Sequence, residues 1–577
     1  MSVELRLGPM LRHVTESSAT VWVETDTPGT VTVIAGHGHT ERRASTETFT
    51  VHGHHFALCD LDGLPSGHAL PYRVLLDDTQ VWPQPGAVHP PSLIRTLDPD
   101  APVRIAFGSC HRAAPHTTET DTVLGVDMLR SYAARLARER SVDGAPSTPV
   151  YGEPSVLLLL GDQVYADEVT EGMQAFLQQR RAAATPERRQ ADPPADEVVF
   201  FDEYAELYRQ AWSDPDLRWL LSTVPTLMLF DDHDVRDDWN TSGSWRQNIA
   251  EQPWWRSRIT SGLGAYWVYQ HLGNLSAKDR DADPVLSSVH RTEGDAAAVV
   301  DEFAWRAHEL PGSYQWSYRF DIANSRVLML DTRCGRIVDN DAHRTMQDPD
   351  TEAWLAAQLT GDVDHLILAS SLPFLLPTGV HYLEAWNEAV CAGRWGAGLR
   401  GTGERLRQAF DLEHWPAFHA SFQWMSDAVL DLASGQRGPA PASVLFLGGD
   451  VHFSYLATAY PRQTVGGVAP IVQLVCSPTR NRLPTKLRWA TWLAARRITG
   501  WCTALMARLA GVGAPALRWR IEDGPHYENT VATLVLRGRS AEVYWEHPAL
   551  PGTTGAPATS ARPGSEVREL THHTLTD

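Results

Sequence analysis

Short apolar runs that stop abruptly at polar, chemically reactive residues limit the folds open to this chain more than any other feature. The runs are Val103–Phe107, Val156–Leu160, Thr226–Phe230, Val327–Leu330, Leu366–Leu368 and Val444–Leu447. Buried central strands of an α/β sheet have this continuous apolar character, and open sheets place their sites just past the strand ends. The sequence therefore predicts a buried α/β sheet whose strand ends contribute to one site.

Four of these runs lead directly into residues that bind metal ions or transfer protons. The chain continues there as FGSCHR (107–112), GDQVYADE (161–168), DDHD (231–234) and GGDVH (448–452). The four clusters offer a thiol, carboxylates, a phenol and imidazoles at one sheet edge. Oxygen ligands suit Ca, Mg or Mn, whereas Cys, Tyr and His suit iron or zinc, so the mixture indicates two unlike metals in adjacent sites.

Hydrolysis of a phosphoester needs an activated water, a screened phosphoryl group and a protonated leaving group. Two metal ions about 3.5–4 Å apart meet the first two needs. A carboxylate that bridges both ions is the natural centre of such a site, and Asp162 is the best candidate.

The clusters also resemble the GDxxY, GNH[DE] and GHxH blocks of the metallophosphatases, in the same order. GDQVY (161–165), DDH (231–233) and GDVH (449–452) take these places. Cys110 within FGSC, together with GDVH in place of GHxH, resembles the PhoD-like alkaline phosphatase branch. The resemblance covers residues 100–550. It implies an α/β class with a metallophosphatase-like α/β/β/α sandwich, preceded by an all-β immunoglobulin- or fibronectin-like domain.

The resemblance also implies a set of site residues. It implies that Fe³⁺ is held by Cys110, Asp162, Tyr165 and His452. Asp162 would bridge to one or two Ca²⁺ ions that Asp232 and Asp450 also bind, with Mn²⁺, Mg²⁺ or Zn²⁺ as alternatives at this second position. His233 takes the place of the catalytic histidine and would donate a proton to the leaving oxygen or stabilise the transition state, with Asp234 orienting its ring.

One metallophosphatase block is missing from the sequence. A VxxH-like segment is expected to supply another histidine ligand, but the matching strand reads HLILASSLP (365–373). We expect the ligand to come from the insertion that follows, as Glu413 or Asp411 within DLEHWPAF, with His381 as a weaker option.

Two residues near the clusters have more than one interpretation. Asp231 is expected to be a structural or helix-capping carboxylate rather than a ligand. Arg112 is predicted to take part in catalysis by clamping a phosphate oxygen, and an ion pair with local acids is the alternative.

Three segments are expected along the chain. Residues 1–96 contain short alternating strands such as Ser18–Glu24, Thr30–Ile34 and Tyr72–Leu76, which predict an N-terminal β-sandwich. Residues 97–551 form the PhoD-like metallophosphatase domain with helical insertions, including helices at Asp127–Glu139 and Phe201–Tyr208. Residues 552–577, rich in Thr, Pro, Gly and Ser, are expected to be a disordered tail.

Composition excludes several classes of function. The net charge of −20 lacks the basic excess of nucleic-acid-binding proteins, so we expect no specific nucleic-acid binding. The N-terminus lacks the features of a signal peptide and no stretch is apolar enough to span a membrane, which predicts a cytoplasmic location. Six unevenly spaced cysteines do not form a disulfide framework.

The segment 480–510 mixes arginines with tryptophans and aliphatic residues in a helical pattern. A basic amphipathic helix that lies on an anionic membrane surface is one interpretation. The arginines are not segregated to one face, which favours the other interpretation, a helical hairpin packed over the core as a lid.

These observations lead to one functional hypothesis and two alternatives. The hypothesis is a metal-dependent phosphoester hydrolase, acting on diesters, monoesters or both, in which a metal-bound hydroxide at a two- or three-metal site attacks a small-molecule substrate. The alternatives are a metal-dependent hydrolase of another bond on the same scaffold, and a non-catalytic binding protein.

Overall fold

A computed structural model describes residues 4–141, 152–339, 343–463, 466–549 and 566–576. Its first part is a two-sheet sandwich, as predicted. The sheets have the strand orders β1-β2-β6-β5 and β4-β3-β7-β8, with β9 beside β7. The strands are β1 (Leu5–Val14), β2 (Ser18–Thr25), β3 (Thr30–Ala35), β4 (Arg42–Glu47), β5 (Phe49–Val51), β6 (His54–Asp62), β7 (Ala69–Leu76), β8 (Thr79–Trp82) and β9 (Leu93–Arg95). Alternate side chains such as Val21, Val33 and Val74 fill the space between the sheets.

The sandwich is attached to the rest of the chain through buried polar contacts. The Arg12 guanidinium donates to the Asn274 amide oxygen at 2.9 Å, and the Trp22 indole donates to the Val268 carbonyl at 2.9 Å. The Tyr72 hydroxyl donates to the Ser222 carbonyl at 2.6 Å. Because removing any of these partners would leave a buried polar group unsatisfied, the contacts hold the two parts in a defined arrangement.

Two further sheets face each other in the second part. Their orders are β12-β11-β10-β20-β21-β22 and β13-β14-β15-β16-β18-β17-β19. The strands are β10 (Val103–Gly108), β11 (Val156–Leu160), β12 (Thr226–Leu229), β13 (Tyr318–Ile322), β14 (Ser325–Leu330), β15 (His365–Ser370), β16 (Ser443–Gly448), β17 (Ser454–Pro461), β18 (Ile471–Val475), β19 (Leu517–His526), β20 (Val531–Arg537), β21 (Ser540–Pro548) and β22 (Val567–Thr576). All six predicted runs are strands. One apolar core, which includes Leu158, Ile367 and Leu445, lies between the sheets.

Helices cover the outer faces of both sheets and complete the predicted α/β/β/α sandwich. They are α1 (Thr118–Leu124), α2 (Met128–Ser141), α3 (Glu171–Ala182), α4 (Pro186–Gln190), α5 (Phe201–Trp212), α6 (Pro215–Thr223), α7 (Gly243–Ala250), α8 (Trp255–Tyr266), α9 (Leu272–Asn274), α10 (Ala277–Asp281), α11 (Pro284–Arg291), α12 (Ala297–Glu309), α13 (Pro349–Gln358), α14 (Thr378–Cys391), α15 (Arg400–Ala409), α16 (His419–Ala433), α17 (Thr485–Ala494) and α18 (Arg497–Leu509). In the described ranges, no helix has both the length and the hydrophobicity needed to cross a bilayer. The two facing sheets with helices on their outer faces, preceded by the two-sheet sandwich, confirm the predicted fold class.

The prediction of a disordered tail is wrong for residues 567–576. Strand β22 pairs antiparallel with β21 at the edge of its sheet. Two of its side chains, Thr571 and His573, reach Asp523 at 2.6 and 2.7 Å. Only the tertiary partner gives this short polar segment an edge to pair with, so composition alone suggested disorder. Residues 552–565 and residue 577 of the predicted tail lie outside the described ranges.

Candidate metal centre

The predicted site residues lie on loops that follow parallel strands of the two facing sheets. Cys110 follows β10, Asp162 follows β11, Asp232 follows β12, and Asp450 and His452 follow β16. Strands β10, β11 and β12 are parallel neighbours, so their carboxyl ends meet at one edge.

Four of these five residues have an unusual backbone conformation. Cys110, Asp162, Asp450 and His452 all have φ between +53° and +61°. Side chains other than glycine rarely adopt this region, and such strain persists where the surrounding structure imposes it, as at functional sites. The loops are also close-packed, because a Cβ at Gly161 would lie 2.8 Å from the Cβ of Asp231. The glycine of the GDxxY block therefore lets these two loops approach each other.

Asp162 is the common member of three overlapping groups of metal-ligating side chains. The groups are Cys110/Asp162/His452, Asp162/Asp232/His233 and Asp162/Asp231/Asp232/Asp450, and in each one the ligand atoms lie within 4.8 Å of one another. A carboxylate shared in this way has the arrangement that a bridging ligand needs. The structure thus brings together every predicted Asp, Cys and His ligand in these loops, and adds Asp231 and His233.

The carboxylates of the cluster lack enough hydrogen-bond donors of their own. Oδ1 of Asp162 and Oδ2 of Asp231 are buried without a hydrogen-bond partner. Burial, together with the charges on Asp231 and Asp232, raises the pKa of Asp162 well above its usual range, and burial raises the pKa of Asp231 to about 8. Burying charged carboxylates without partners is costly, whereas bound cations would satisfy them. The donor set therefore fits metal ions.

The side of the cluster with sulfur and nitrogen ligands is built from Cys110, Tyr165 and His452. The Ser477 hydroxyl donates to the Cys110 sulfur at 3.3 Å, and the Tyr165 hydroxyl lies 3.4 Å from Oδ2 of Asp162. Burial lowers the pKa of His452 to about 4, which keeps the imidazole neutral. Neutral imidazole is the form that binds metals.

His233 is held by Asp167 rather than by Asp234. Nδ1 of His233 lies 2.9 Å from Oδ1 of Asp167. Asp167 has a pKa of about 2, since its hydrogen bond and ion pair with His233 outweigh the effect of burial. An ionised Asp167 accepts a hydrogen bond from the Nδ1–H group of His233. Nε2, the other ring nitrogen, lies 3.9 Å from Oδ1 of Asp237. Burial would lower the pKa of His233, but Asp167, Asp232 and Asp162 raise it well above its usual range.

The predicted role of Asp234 is therefore wrong. One oxygen of its carboxylate accepts from the backbone N–H groups of Asp162 at 3.1 Å and Asp231 at 2.9 Å, and the other accepts from Gln270 at 3.1 Å. Asp234 ties the two neighbouring strand-end loops together and has no contact with the His233 ring. Asp167 lies on the loop after β11 and Asp234 on the loop after the neighbouring strand β12, and the order of residues in the chain could not show which of the two reaches the His233 ring.

The prediction for the missing VxxH-like ligand also needs correction. The Glu413 carboxylate accepts from Arg333 at 2.5 Å, Thr241 at 2.7 Å and Arg336 at 3.0 Å, and it is absent from the metal-ligating groups of the described residues. His414, its neighbour, lies 3.0 Å from Oδ2 of Asp450. Nδ1 of His414 lies 2.8 Å from Oε1 of Glu384, so carboxylates engage both ring nitrogens. His414, like Glu413, belongs to no metal-ligating group of the described residues.

The other two options for that ligand have separate outcomes. Asp411 lines the same cleft as His414 but belongs to no metal-ligating group of the described residues. His381 is buried against the rings of Phe422 and Trp519, with centroids 4.6 and 4.5 Å away. The surroundings of His381 are those of a core residue.

Arg333 is the functional residue that sequence reasoning missed. Its fully buried guanidinium pairs with Asp231, with Asp232 at 3.1 Å and with Glu413 at 2.5 Å. Arg333 offsets part of the negative charge that the cluster collects. It follows the run Val327–Leu330, so the strand-end rule that found the other clusters would have found Arg333 as well.

An open cleft of about 990 Å³ leads to the cluster. Asp162, Asp232, His233, Asp450 and His452 line its floor, and Arg112 stands on its wall. Arg112 is paired with Glu168 at 2.7 Å, and both side chains are partly exposed. The ion pair expected for Arg112 is therefore present, and its exposure leaves the guanidinium free to exchange partners.

Comparisons with known proteins find two family models and a set of solved structures. Residues 146–487 match a model described as PhoD-like phosphatase, and residues 2–94 match a domain of unknown function, DUF7800. A solved structure of PhoD superposes with a TM-score of 0.55 at 13% identity, covering 99% of this chain and 92% of that chain. A purple acid phosphatase, PPD1 from yellow lupin (Lupinus luteus) seeds, gives a TM-score of 0.44 at 10% identity, with 98% and 74% coverage. No curated protein matches the chain.

Proposed function

The chain belongs to the PhoD-like phosphatase family, and from this premise we propose that it is a metal-dependent phosphoesterase centred on Asp162. The observation that carries the proposal is the position of Asp162, which is shared by three ligand groups while one of its buried oxygens has no hydrogen-bond partner. Such a carboxylate is suited to bridge two cations. His233 faces the same cleft and provides a proton donor beside them.

The two sides of the cluster suit two unlike ions. Cys110, Tyr165, His452 and Asp162 would hold one ion, and the sulfur, phenol and imidazole groups favour Fe³⁺ there. Asp162, Asp232 and Asp450 would hold the other, and all-carboxylate oxygen ligation favours Ca²⁺, with Mn²⁺, Mg²⁺ or Zn²⁺ as alternatives. When bound, such ions supply the positive charge that activates water and screens the phosphoryl oxygens.

The protein side chains supply the proton transfer and the alignment of the substrate. Nε2 of His233 would give its proton to the leaving oxygen as the phosphoester bond breaks, and Asp167 would stabilise the ring in the required tautomer. Arg112 would leave Glu168 and bind a phosphoryl oxygen. The size and openness of the cleft suit diesters as well as monoesters.

Replacing Arg112 by alanine is expected to raise the KM for a phosphate diester by about 10–100-fold with a smaller change in kcat. A charged hydrogen bond is worth about 1.5–3 kcal/mol, and each 1.4 kcal/mol corresponds to a factor of ten. Steady-state kinetics on bis(p-nitrophenyl) phosphate measure both constants. The control is Glu168→Gln, which releases Arg112 from its ion pair and should not raise KM. An unchanged KM in Arg112→Ala would reduce Arg112 to a structural ion-pair partner.

The proposed function is tested by hydrolysis of bis(p-nitrophenyl) phosphate and p-nitrophenyl phosphate by the metal-replete protein, side by side. We expect cleavage of the diester, of the monoester, or of both, and the ratio of the two kcat/KM values ranks the two substrate classes. Failure to cleave either ester would contradict the proposal and favour the hydrolysis of another bond or a binding role.

A further inference from the structure

Helices α17 and α18 form a hairpin that packs on the protein through small residues. The buried positions of α18 are Gly500, Thr503 and Ala507. The contact with α14 is close, since a Cβ at Gly379 would collide with the carbonyl of Ala494, and one at Gly500 with the side chain of Thr378. The face of the hairpin that meets the protein therefore needs no large apolar side chain.

The large apolar side chains of the hairpin point outward instead. Ile498, Trp501, Leu505 and Leu509 follow one another at spacings of three and four residues along α18, and all are exposed, Ile498 by 79% and Trp501 by 69%. Trp489 of α17 is 68% exposed. A surface helix normally turns its apolar stripe toward the core, so this arrangement is inverted. Contiguous exposed apolar surface of this kind marks an interaction site.

The charge of the hairpin is opposite to that of the whole chain. The protein carries a net charge of −20, yet residues 480–520 contain no Asp or Glu. Lys486, Arg496, Arg497 and Arg508 are exposed among the apolar residues of the hairpin. The Arg496 guanidinium lies over the Trp492 ring at 3.7 Å. Exposed tryptophans combined with Lys and Arg are the composition of helices that lie in the interface of anionic membranes.

We propose that the α17–α18 hairpin docks on the surface of an anionic lipid bilayer, with its outward apolar side chains in the headgroup region. The negatively charged lipid phosphates complement the acid-free basic surface. A two-fold dimer of this protein through the hairpin would instead bring two basic surfaces together, which like-charge repulsion disfavours.

The hairpin also forms part of the rim of the catalytic cleft. Leu487, Arg488 and Thr491 of α17 line the cleft, together with the exposed apolar side chains of Val123 and Phe410. Docking would therefore turn the mouth of the cleft toward the bilayer. The substrate class that fits this arrangement is a phosphoester whose apolar group anchors it in the membrane. This assignment of the substrate class rests on the proposed function, whereas the docking itself does not.

Vesicle flotation with the full-length, metal-replete protein tests the docking. The vesicles are phosphatidylcholine alone and phosphatidylcholine mixed with phosphatidylglycerol. We expect the protein to float with the anionic vesicles and much less with the neutral ones. The double variant Trp489→Glu/Trp501→Glu should lower the bound fraction about tenfold or more, because two exposed apolar anchors become charged. Both positions are exposed, so the fold should tolerate the change.

The matched control is Val88→Glu/Leu310→Glu, which charges two exposed apolar residues outside the hairpin and should float like the unmodified protein. Both double variants should hydrolyse bis(p-nitrophenyl) phosphate at the unmodified rate, so a loss of flotation is separate from a loss of catalysis. Equal flotation of the hairpin variant and the control, or no binding of the unmodified protein to anionic vesicles, would overturn the proposal. So would a dimer in solution that the hairpin variant abolishes, because the surface would then bind a second copy.

Discussion

Replacing Asp162 by asparagine is expected to lower kcat by about three orders of magnitude and to empty the metal centre. Asp162 is the shared member of all three ligand groups, so its loss weakens binding of both ions. Metal ions contribute several kcal/mol of transition-state stabilisation, at about 1.4 kcal/mol per factor of ten in rate. Steady-state kinetics and elemental analysis of the purified variant measure the two effects.

The thermal stability of Asp162→Asn without metal should increase, although its activity falls. Burial and the neighbouring carboxylates raise the pKa of Asp162, so its ionised form costs stability in the metal-free protein at neutral pH, above the pKa it has when unfolded. Asparagine removes that charge, and the melting temperature of the chelated variant should exceed that of the chelated parent.

A second buried aspartate provides the control for this experiment. Asp127 is ion-paired with His111 at 3.1 Å and has no place in the ligand groups of the described residues. Asp127→Asn should lower the melting temperature and keep the metal. Normal turnover of Asp162→Asn with a full metal content would contradict the bridging role of Asp162.

Replacing His233 by alanine is expected to slow cleavage of esters with poor leaving groups by about 10²–10⁴-fold and to leave the metal content unchanged. A leaving group such as p-nitrophenolate needs little protonation, so its loss should be much smaller. The measurement is log kcat against leaving-group pKa for a series of aryl phosphodiesters, and the slope should become more negative in the variant. An equal loss across the series would contradict the proton-donor role, and loss of metal would make His233 a ligand.

The positioning role of Asp167 is tested in the same series. Asp167→Asn should lower the rate by about 10–100-fold, as is typical when a group that orients a functional histidine is removed. Asp167 raises the pKa of His233, so its removal lowers that pKa and the acid form of His233 is lost at a lower pH. The alkaline limb of the rate profile should therefore move toward lower pH. Asp234→Asn, which breaks backbone contacts instead, should destabilise the protein without that movement.

The strand-end pattern was enough to predict most of the candidate centre. Cys110, Asp162, Asp232, Asp450 and His452 each follow a continuous apolar run, and parallel strands bring such ends to one edge whatever the intervening sequence contains. The same reasoning predicted the sheets and the sandwich, because buried strands and half-buried strands have different hydrophobic periodicity.

The errors concern residues whose partners are chosen by tertiary packing. Glu413 accepts from Arg333 and Arg336 instead of joining a metal-ligating group, because tertiary packing brings these two buried arginines to it. Asp234 and Asp167 are both acids near His233, and only the crossing of two loops selects Asp167. Strand β22 forms because the preceding strand, β21, offers it a free sheet edge to pair with. None of these choices is encoded in local spacing.

The sequence did not predict that the apolar face of the hairpin points outward. The pattern of residues 480–510 predicts helices, and it favours their packing over the core. The structure contains that packing, but through Gly500, Thr503 and Ala507, which leaves the tryptophans exposed. Periodicity alone shows that a helix has an apolar stripe and cannot show which way the stripe turns.

Removal and restoration of the metal ions tests the central claim most directly. The purified protein is assayed on bis(p-nitrophenyl) phosphate before chelation, after chelation, and after separate and joint addition of Fe³⁺ and Ca²⁺. We expect the rate to fall to background on chelation. It should recover only when Fe³⁺ is added together with a second ion, either Ca²⁺ or, in its place, Mn²⁺, Mg²⁺ or Zn²⁺. Full turnover by protein that elemental analysis shows to be free of metal would contradict a metal-dependent centre at Asp162.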